Sequence, residues 1–238
     1  MRALIIAGHI GIESLTNDLL PDADVAELRR GTGARGEREW TGAFAGLLRD
    51  ALAQAGVEAR ATDCTYSAAL YATWRPEVVL NCHLHRDDDG GPGGAHAAFA
   101  VPDPFLALGD LWESARLLDR LMGAYTQRTG ILVTQRIVTT RMTQNYLWSF
   151  LPPGAAAVIA EFGNLNDAGD RTVLYEPAIQ RIVTYVRDCV MEHGDLPLPG
   201  EEPLRRRAAD VAPAPQPADS ADLVAADLER IVARVRKL

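Results

Sequence analysis

The 238-residue chain is poor in cysteine: Cys64, Cys82 and Cys189 are three in number and widely spaced. An odd, scattered set excludes a fully paired disulfide framework, and with no Cys-x-x-Cys pair there is no cysteine knuckle for a metal. Long apolar runs are missing too. No stretch of about 18 consecutive apolar residues occurs, so no segment suits a membrane-spanning helix. Positive charge is scarce, with 24 Lys and Arg against 32 Asp and Glu and a formal net charge of −8. Proteins that track phosphate backbones carry a concentrated basic face, so nucleic acid is not expected as a partner. Between Met1-Arg2 and Gly8 stand only five apolar residues, too few for the core of a secretory signal. The expectation is synthesis in the cytoplasm without a signal peptide.

What the chain does have is 47% hydrophobic and 24% charged residues, enough for one sizeable α/β core with a smaller appendage. Arg2–Ala7 is a short apolar run halted by Gly8, the pattern of a buried strand that delivers His9 just past its end. From Glu37, the apolar residues Trp40, Phe44, Leu47, Leu48, Ala51 and Leu52 recur at helical spacing up to Gly56. Strands are expected at 57–62 and 78–82, the second ending at His83, with a short helical stretch around Ala68–Trp74 between them. The Asp/Gly-rich 87–94 predicts a loop, followed by a strand over 95–101, a helix through Leu111–Tyr125 and a strand over 131–138. A strand over 155–160 presents Glu161, and a helix over 172–191 closes the domain near residue 194. This alternation predicts an α/β fold with a mostly parallel or mixed central sheet and helices on both faces. Residues 195–218, rich in Pro and Ala, have the composition of an extended linker. Over 219–238, Leu223, Val224, Leu228, Ile231, Val232 and Val235 share one helical face. Such a helix docks on its own domain, dimerises or binds a protein partner.

Polar side chains beyond the carboxyl ends of strands in an α/β sheet converge on a common crevice. His9, His83 and Glu161 qualify, and Glu37 joins them if the first turn of its helix reaches the same place. Two His and two Glu are the materials of a hydrolytic zinc site: three ligands, an open position for water, and a carboxylate base. One Glu moderates the charge of the metal, while the other accepts a proton from the attacking water and passes it to the leaving nitrogen. Glu161 is assigned to that second role. Nitrogen and oxygen ligands also suit other divalent ions.

These residues resemble a known family, the zinc-dependent N-acetylmuramoyl-L-alanine amidases. Gly8-His9-Ile10-Gly11 is similar to its Gly-His motif after the first strand. A Glu opening a long helix with a Gly 19 positions later matches Glu37 and Gly56, since 56 − 37 = 19. VVLNCHLH resembles the strand ending in a zinc-binding His, and VIAEFGNLND the closing strand with its catalytic Glu. The resemblance covers roughly residues 2–190. It implies zinc held by His9, Glu37 and His83, Glu161 as the catalytic residue, and cleavage of peptidoglycan or muropeptides, in wall remodelling or as a phage endolysin. Ile10, His85 and Asn164 stand where the family commonly has Gly, Asn and Phe.

Other readings remain open in the sequence. Isolated His residues at strand ends are often structural; Glu37 also suits a helix N-terminus simply through the dipole, and Glu39 is an alternative ligand. His85 is an alternative ligand, a substrate or supporting contact, or structural. His96 and His193 read as surface or structural residues, Arg141, Gln144 and Asn145 as loop residues or substrate contacts, and Gly90–Gly94 as a rim of the site. Alternative functions are a zinc carboxypeptidase or other small-amide hydrolase, and a non-catalytic wall-binding or scaffold protein.

Overall fold

The computed structural model describes residues 1–9, 36–62, 73–85, 94–98, 111–135, 151 and 154–198. Strand β1 (Arg2–Ala7) lies inside the sheet because its apolar run can be covered on both faces: Leu4, Ile5 and Ile6 are fully shielded. Helix α1 (Glu37–Gln54) buries the Trp40, Phe44, Leu48 and Leu52 stripe that its spacing predicts. Gly56, at φ 83°, turns the chain into β2 (Glu58–Thr62), a backbone conformation that glycine adopts without strain. Then follow β3 (Val78–His85), β4 (Ala95–Ala98), α2 (Leu111–Gly123), α3 (Tyr125–Thr129), β5 (Val133–Gln135), β6 (Ala156–Asn164), α4 (Ala168–Leu174) and α5 (Ile179–His193).

The strands form one mixed sheet in the order β2-β1-β3-β6-β4-β5. β2, β1, β3 and β6 run parallel; β4 runs antiparallel to β6, and β5 pairs parallel with β4. Alternate residues divide the sheet into two faces. Ala3, Ile5, Leu80, Cys82, Val158 and Phe162 belong to one core with the apolar stripes of α1, α2 and α5. Phe44, fully buried, stacks on Trp40 at 4.7 Å between ring centroids, and truncating such a residue to Ala costs about 3–5 kcal/mol. The opposite face carries Leu4, Ile6, Val79, Ala157 and Ile159, also buried, and further along the same strands His83 and Glu161.

Several expected boundaries shift. β3 continues through His83 to His85 and β6 through Glu161 to Asn164, so both site residues sit within strands rather than after them. Parallel pairing of the two explains this, since His83 and Glu161 are themselves register partners. The single helix expected over 172–191 is two helices, α4 and α5. Pro177 lacks an N–H and disfavours helical geometry in the residue before it, which separates them. The helix expected through Leu111–Tyr125 ends at Gly123, and α3 follows. α1, α2 and α5 all contribute to the core on one face. Most of Ala68–Trp74, the Pro/Ala-rich linker, the C-terminal helix and Arg141, Gln144 and Asn145 lie outside the described residues. Among the described residues, no helix is long and apolar enough to cross a membrane.

Candidate active site

β3 outlasts β1 at the carboxyl end of the sheet, and the site is built in the step this leaves. The last ladder bond on that side runs from the Gly8 N–H to the Cys82 carbonyl at 2.9 Å. The next N–H of β3 facing that edge, Leu84, has no strand beside it among the described residues and donates instead to Glu37 Oε1 at 3.0 Å. The first residue of α1 thus supplies the acceptor that a longer β1 would have offered, which satisfies a buried amide. One turn along, the buried Thr41 hydroxyl donates to the Gly8 carbonyl at 2.9 Å, fixing α1 to the end of β1.

Gly8 has a second, steric task. A Cβ there would meet Cε1 and Nδ1 of His83 at 2.5 Å and the Cys82 carbonyl oxygen at 2.6 Å. The His83 ring therefore lies in the space that the missing side chain leaves. His9 follows with φ 61°, in the left-handed region that costs a non-glycine residue of order 1 kcal/mol. That turn brings the His9 ring edge-on to His83, with centroids 4.9 Å apart and planes at 90°.

Glu37 sits between the two imidazoles and is only 2% exposed. Its Oε1 is 3.2 Å from His83 Nδ1 and 3.5 Å from His9 Nε2. One ligand atom from each of the three residues lies within 4.8 Å of the others, so this group could hold a metal ion. Donors about 2.0–2.1 Å from a tetrahedral centre stand roughly 3.3 Å from one another, close to the 3.2 and 3.5 Å that separate Glu37 Oε1 from the two imidazole nitrogens. Two imidazoles and a carboxylate are a zinc-type donor set, and the Leu84 N–H orients the carboxylate as an outer contact would. The residues fit a bound divalent ion.

Glu161 stands opposite His83 in the β3–β6 register. Its Oε2 is sealed from solvent and has no hydrogen-bond partner among the described residues. Burial drives its carboxyl up to about 7; His83 opposes the shift and the charge of Glu37 adds to it. Burial also pushes Glu37 upward, but its hydrogen bond with His83, the charges of His9 and His83, and the Leu84 N–H outweigh that and hold it below the ordinary value. For His83, burial works against protonation, yet the Glu37 hydrogen bond and the charges of Glu161 and Glu37 win and raise it.

The structure thus brings together His9, Glu37, His83 and Glu161, and places Glu39 on the exposed side of α1, away from the cluster. His85 is outside the trio and packs its ring edge-on against His96, centroids 4.8 Å apart. His96, expected to be surface or structural, lies opposite Glu161 on β4, a neighbourhood that no linear motif announces. The strand expected over 95–101 is the hint that the sequence carries. His193 is remote from this group, at the end of α5, with Nε2 3.5 Å from Glu113. Of the glycine-rich run expected to rim the site, only Gly94 is described; its N–H donates to Asp170 Oδ2 at 2.7 Å.

No family model matches the sequence, and no curated protein does. Solved structures share the fold: it is that of N-acetylmuramoyl-L-alanine amidase catalytic domains. In particular, the chain superposes on an amidase of Nostoc punctiforme with a TM-score of 0.59 at 12% identity, covering 82% of this chain and 97% of that one. An amidase from Clostridium difficile 630 gives 0.57 at 15% identity, covering 82% and 96%. One from Mycobacterium abscessus, in its apo form, gives 0.53 at 19%, covering 81% and 97%. At such identities the likeness is one of fold.

Proposed function

We propose that the protein is a zinc-dependent amidase that hydrolyses the bond between the lactyl group of N-acetylmuramic acid and L-alanine in peptidoglycan or its fragments. The observation that carries this reading is a buried carboxylate between two imidazoles, with a second carboxylate opposite one of them whose Oε2 has no partner among the described residues. His9, Glu37 and His83 would hold the ion. Zinc, when bound, polarises the amide carbonyl and makes water a better nucleophile near neutral pH.

The remaining work falls to the chain. Glu161 accepts the proton of the attacking water and delivers it to the departing nitrogen, so that water is consumed and a lactyl carboxylic acid and a free alanine amine are released. Burial raises this carboxyl above its ordinary value in the metal-free protein, which favours its holding a proton between the two halves of that exchange. Its Oε2 has no hydrogen-bond partner among the described residues and the side chain as a whole is partly exposed, so the carboxylate can turn toward a water. Glu37, engaged by two His and a main-chain N–H, has no such freedom.

The test is elemental analysis of the purified protein together with digestion of peptidoglycan, with and without a chelator, and mass identification of products. About one zinc per chain and chelator-sensitive release of intact stem peptides support the proposal. Release of single terminal amino acids would favour a carboxypeptidase instead, wall binding without cleavage a scaffold, and failure to take up zinc would remove the metal assignment.

A further inference from the structure

The amidase reading leaves a second pair of imidazoles unused. His96 is the register partner of Glu161 on one side, as His83 is on the other. Paired residues of adjacent strands project to the same side of a sheet, with strands about 4.8 Å apart. His83, Glu161 and His96 therefore make a row across three strands, from the metal-ligating trio, through the proton-transferring carboxylate, to another histidine. His85, two residues beyond His83 and so on the same side of β3, closes on His96 with ring planes at 76°. Both rings are partly exposed.

An amide lying along this row has its directions set by the chemistry already assigned. Its carbonyl must be near His9, Glu37 and His83, and its nitrogen must reach Glu161. Whatever follows the nitrogen then passes over His96. In the proposed substrate the next polar group is the carbonyl of the first amino acid, within one residue step of about 3.8 Å along the peptide. Burial presses the His96 pKa down to about 4, with the charge of His85 adding to this, so at neutral pH the ring offers one N–H donor and one acceptor and suits a neutral carbonyl better than an ion.

We propose that His96, held edge-on by His85, is a recognition residue for the peptide side of the substrate, donating its ring N–H to the carbonyl that follows the scissile nitrogen. This rests on the amidase reading of the site. It makes selectivity for a peptide, over a simple amide, a property of β4.

The experiment compares binding of two ligands to Glu161→Gln protein loaded with zinc: N-acetylmuramoyl-tripeptide, and N-acetylmuramic acid ethylamide, which has the same amide and no following carbonyl. Adding His96→Ala is expected to weaken the tripeptide about tenfold and the ethylamide less than twofold, with zinc per chain unaltered. His96→Gln, which keeps an N–H donor, recovers part of the loss and guards against a folding artefact. Equal weakening of both ligands, or of neither, overturns the assignment. Cleavage of the tripeptide by the wild type is the separate control: if the zinc-loaded wild type does not cut it, the amidase reading itself fails and takes this inference with it.

Discussion

Glu37 and Glu161 are sunk into the same end of the same sheet, yet their surroundings could hardly differ more. Glu37 opens a helix and meets two imidazoles and a main-chain N–H. Glu161 stands in the middle of a strand, with one oxygen buried and unpartnered among the described residues. Burial pushes both carboxyls upward, but only at Glu37 do donors and positive charge overcome it. The contrast teaches that residue type does not assign the roles here. A carboxyl whose ionised form is satisfied is suited to hold a cation permanently, and one whose ionised form is not satisfied is suited to exchange a proton.

That contrast can be broken at either end. The largest effect is expected from Glu37→Ala: the metal affinity should fall by more than the roughly 10–100-fold typical of losing an outer contact, and cleavage should disappear. The orphaned Leu84 N–H should cost about 1–3 kcal/mol in addition, visible in denaturant unfolding. Glu161→Gln should lower kcat by about 10²–10⁴-fold while one zinc per chain remains, measured by turnover and elemental analysis on the same sample. Loss of metal in that variant would show that the two carboxylates are not divided as described.

The comparison can also be sharpened without touching activity. In the metal-free protein the Glu161 carboxyl is raised from 4.5 to about 7, so its folded form favours the proton. Its contribution to stability is full below about 4.5 and lost as pH rises through about 7, a change of about 3 kcal/mol. Chelator-treated wild type should therefore lose stability over that window relative to Glu161→Gln, and parallel pH profiles would contradict it. Gly8→Ala should displace the His83 ring and weaken metal binding by about 10–100-fold, read by competition with a chromophoric chelator. Smallest of all, Glu39→Gln should change stability by less than about 0.5 kcal/mol and leave metal content intact, because that side chain faces solvent.

Much of this was legible in the chain. The apolar runs announced β1, β3 and β6, and the stripe from Trp40 to Leu52 announced α1. The family resemblance, through the spacing from Glu37 to Gly56, favours Glu37 over Glu39, and the buried and exposed sides of α1 give the physical reason. Less visible was anything that depends on where strands stop relative to one another. That β3 passes the end of β1, so that a helix carboxylate must answer the Leu84 N–H, is a property of register. So is the arrival of His96 beside Glu161 from an antiparallel strand. The space Gly8 leaves for the His83 ring is equally a three-dimensional fact, written in sequence only as a glycine before a histidine. Pro177 did carry a readable warning, since an interior proline argues against one continuous helix over 172–191.

The two hydrogen bonds that tie α1 to the strand ends, Thr41 to the Gly8 carbonyl and Leu84 to Glu37, have a consequence for how the gene can vary. They fasten the chain at both ends of the interval from Ile10 to Arg35, so the anchoring of the site does not depend on the length of what lies between. Changes of length between those two points should leave His9, Glu37, His83 and Glu161 where they are, giving evolution or an engineer a place to vary the sequence without moving the centre.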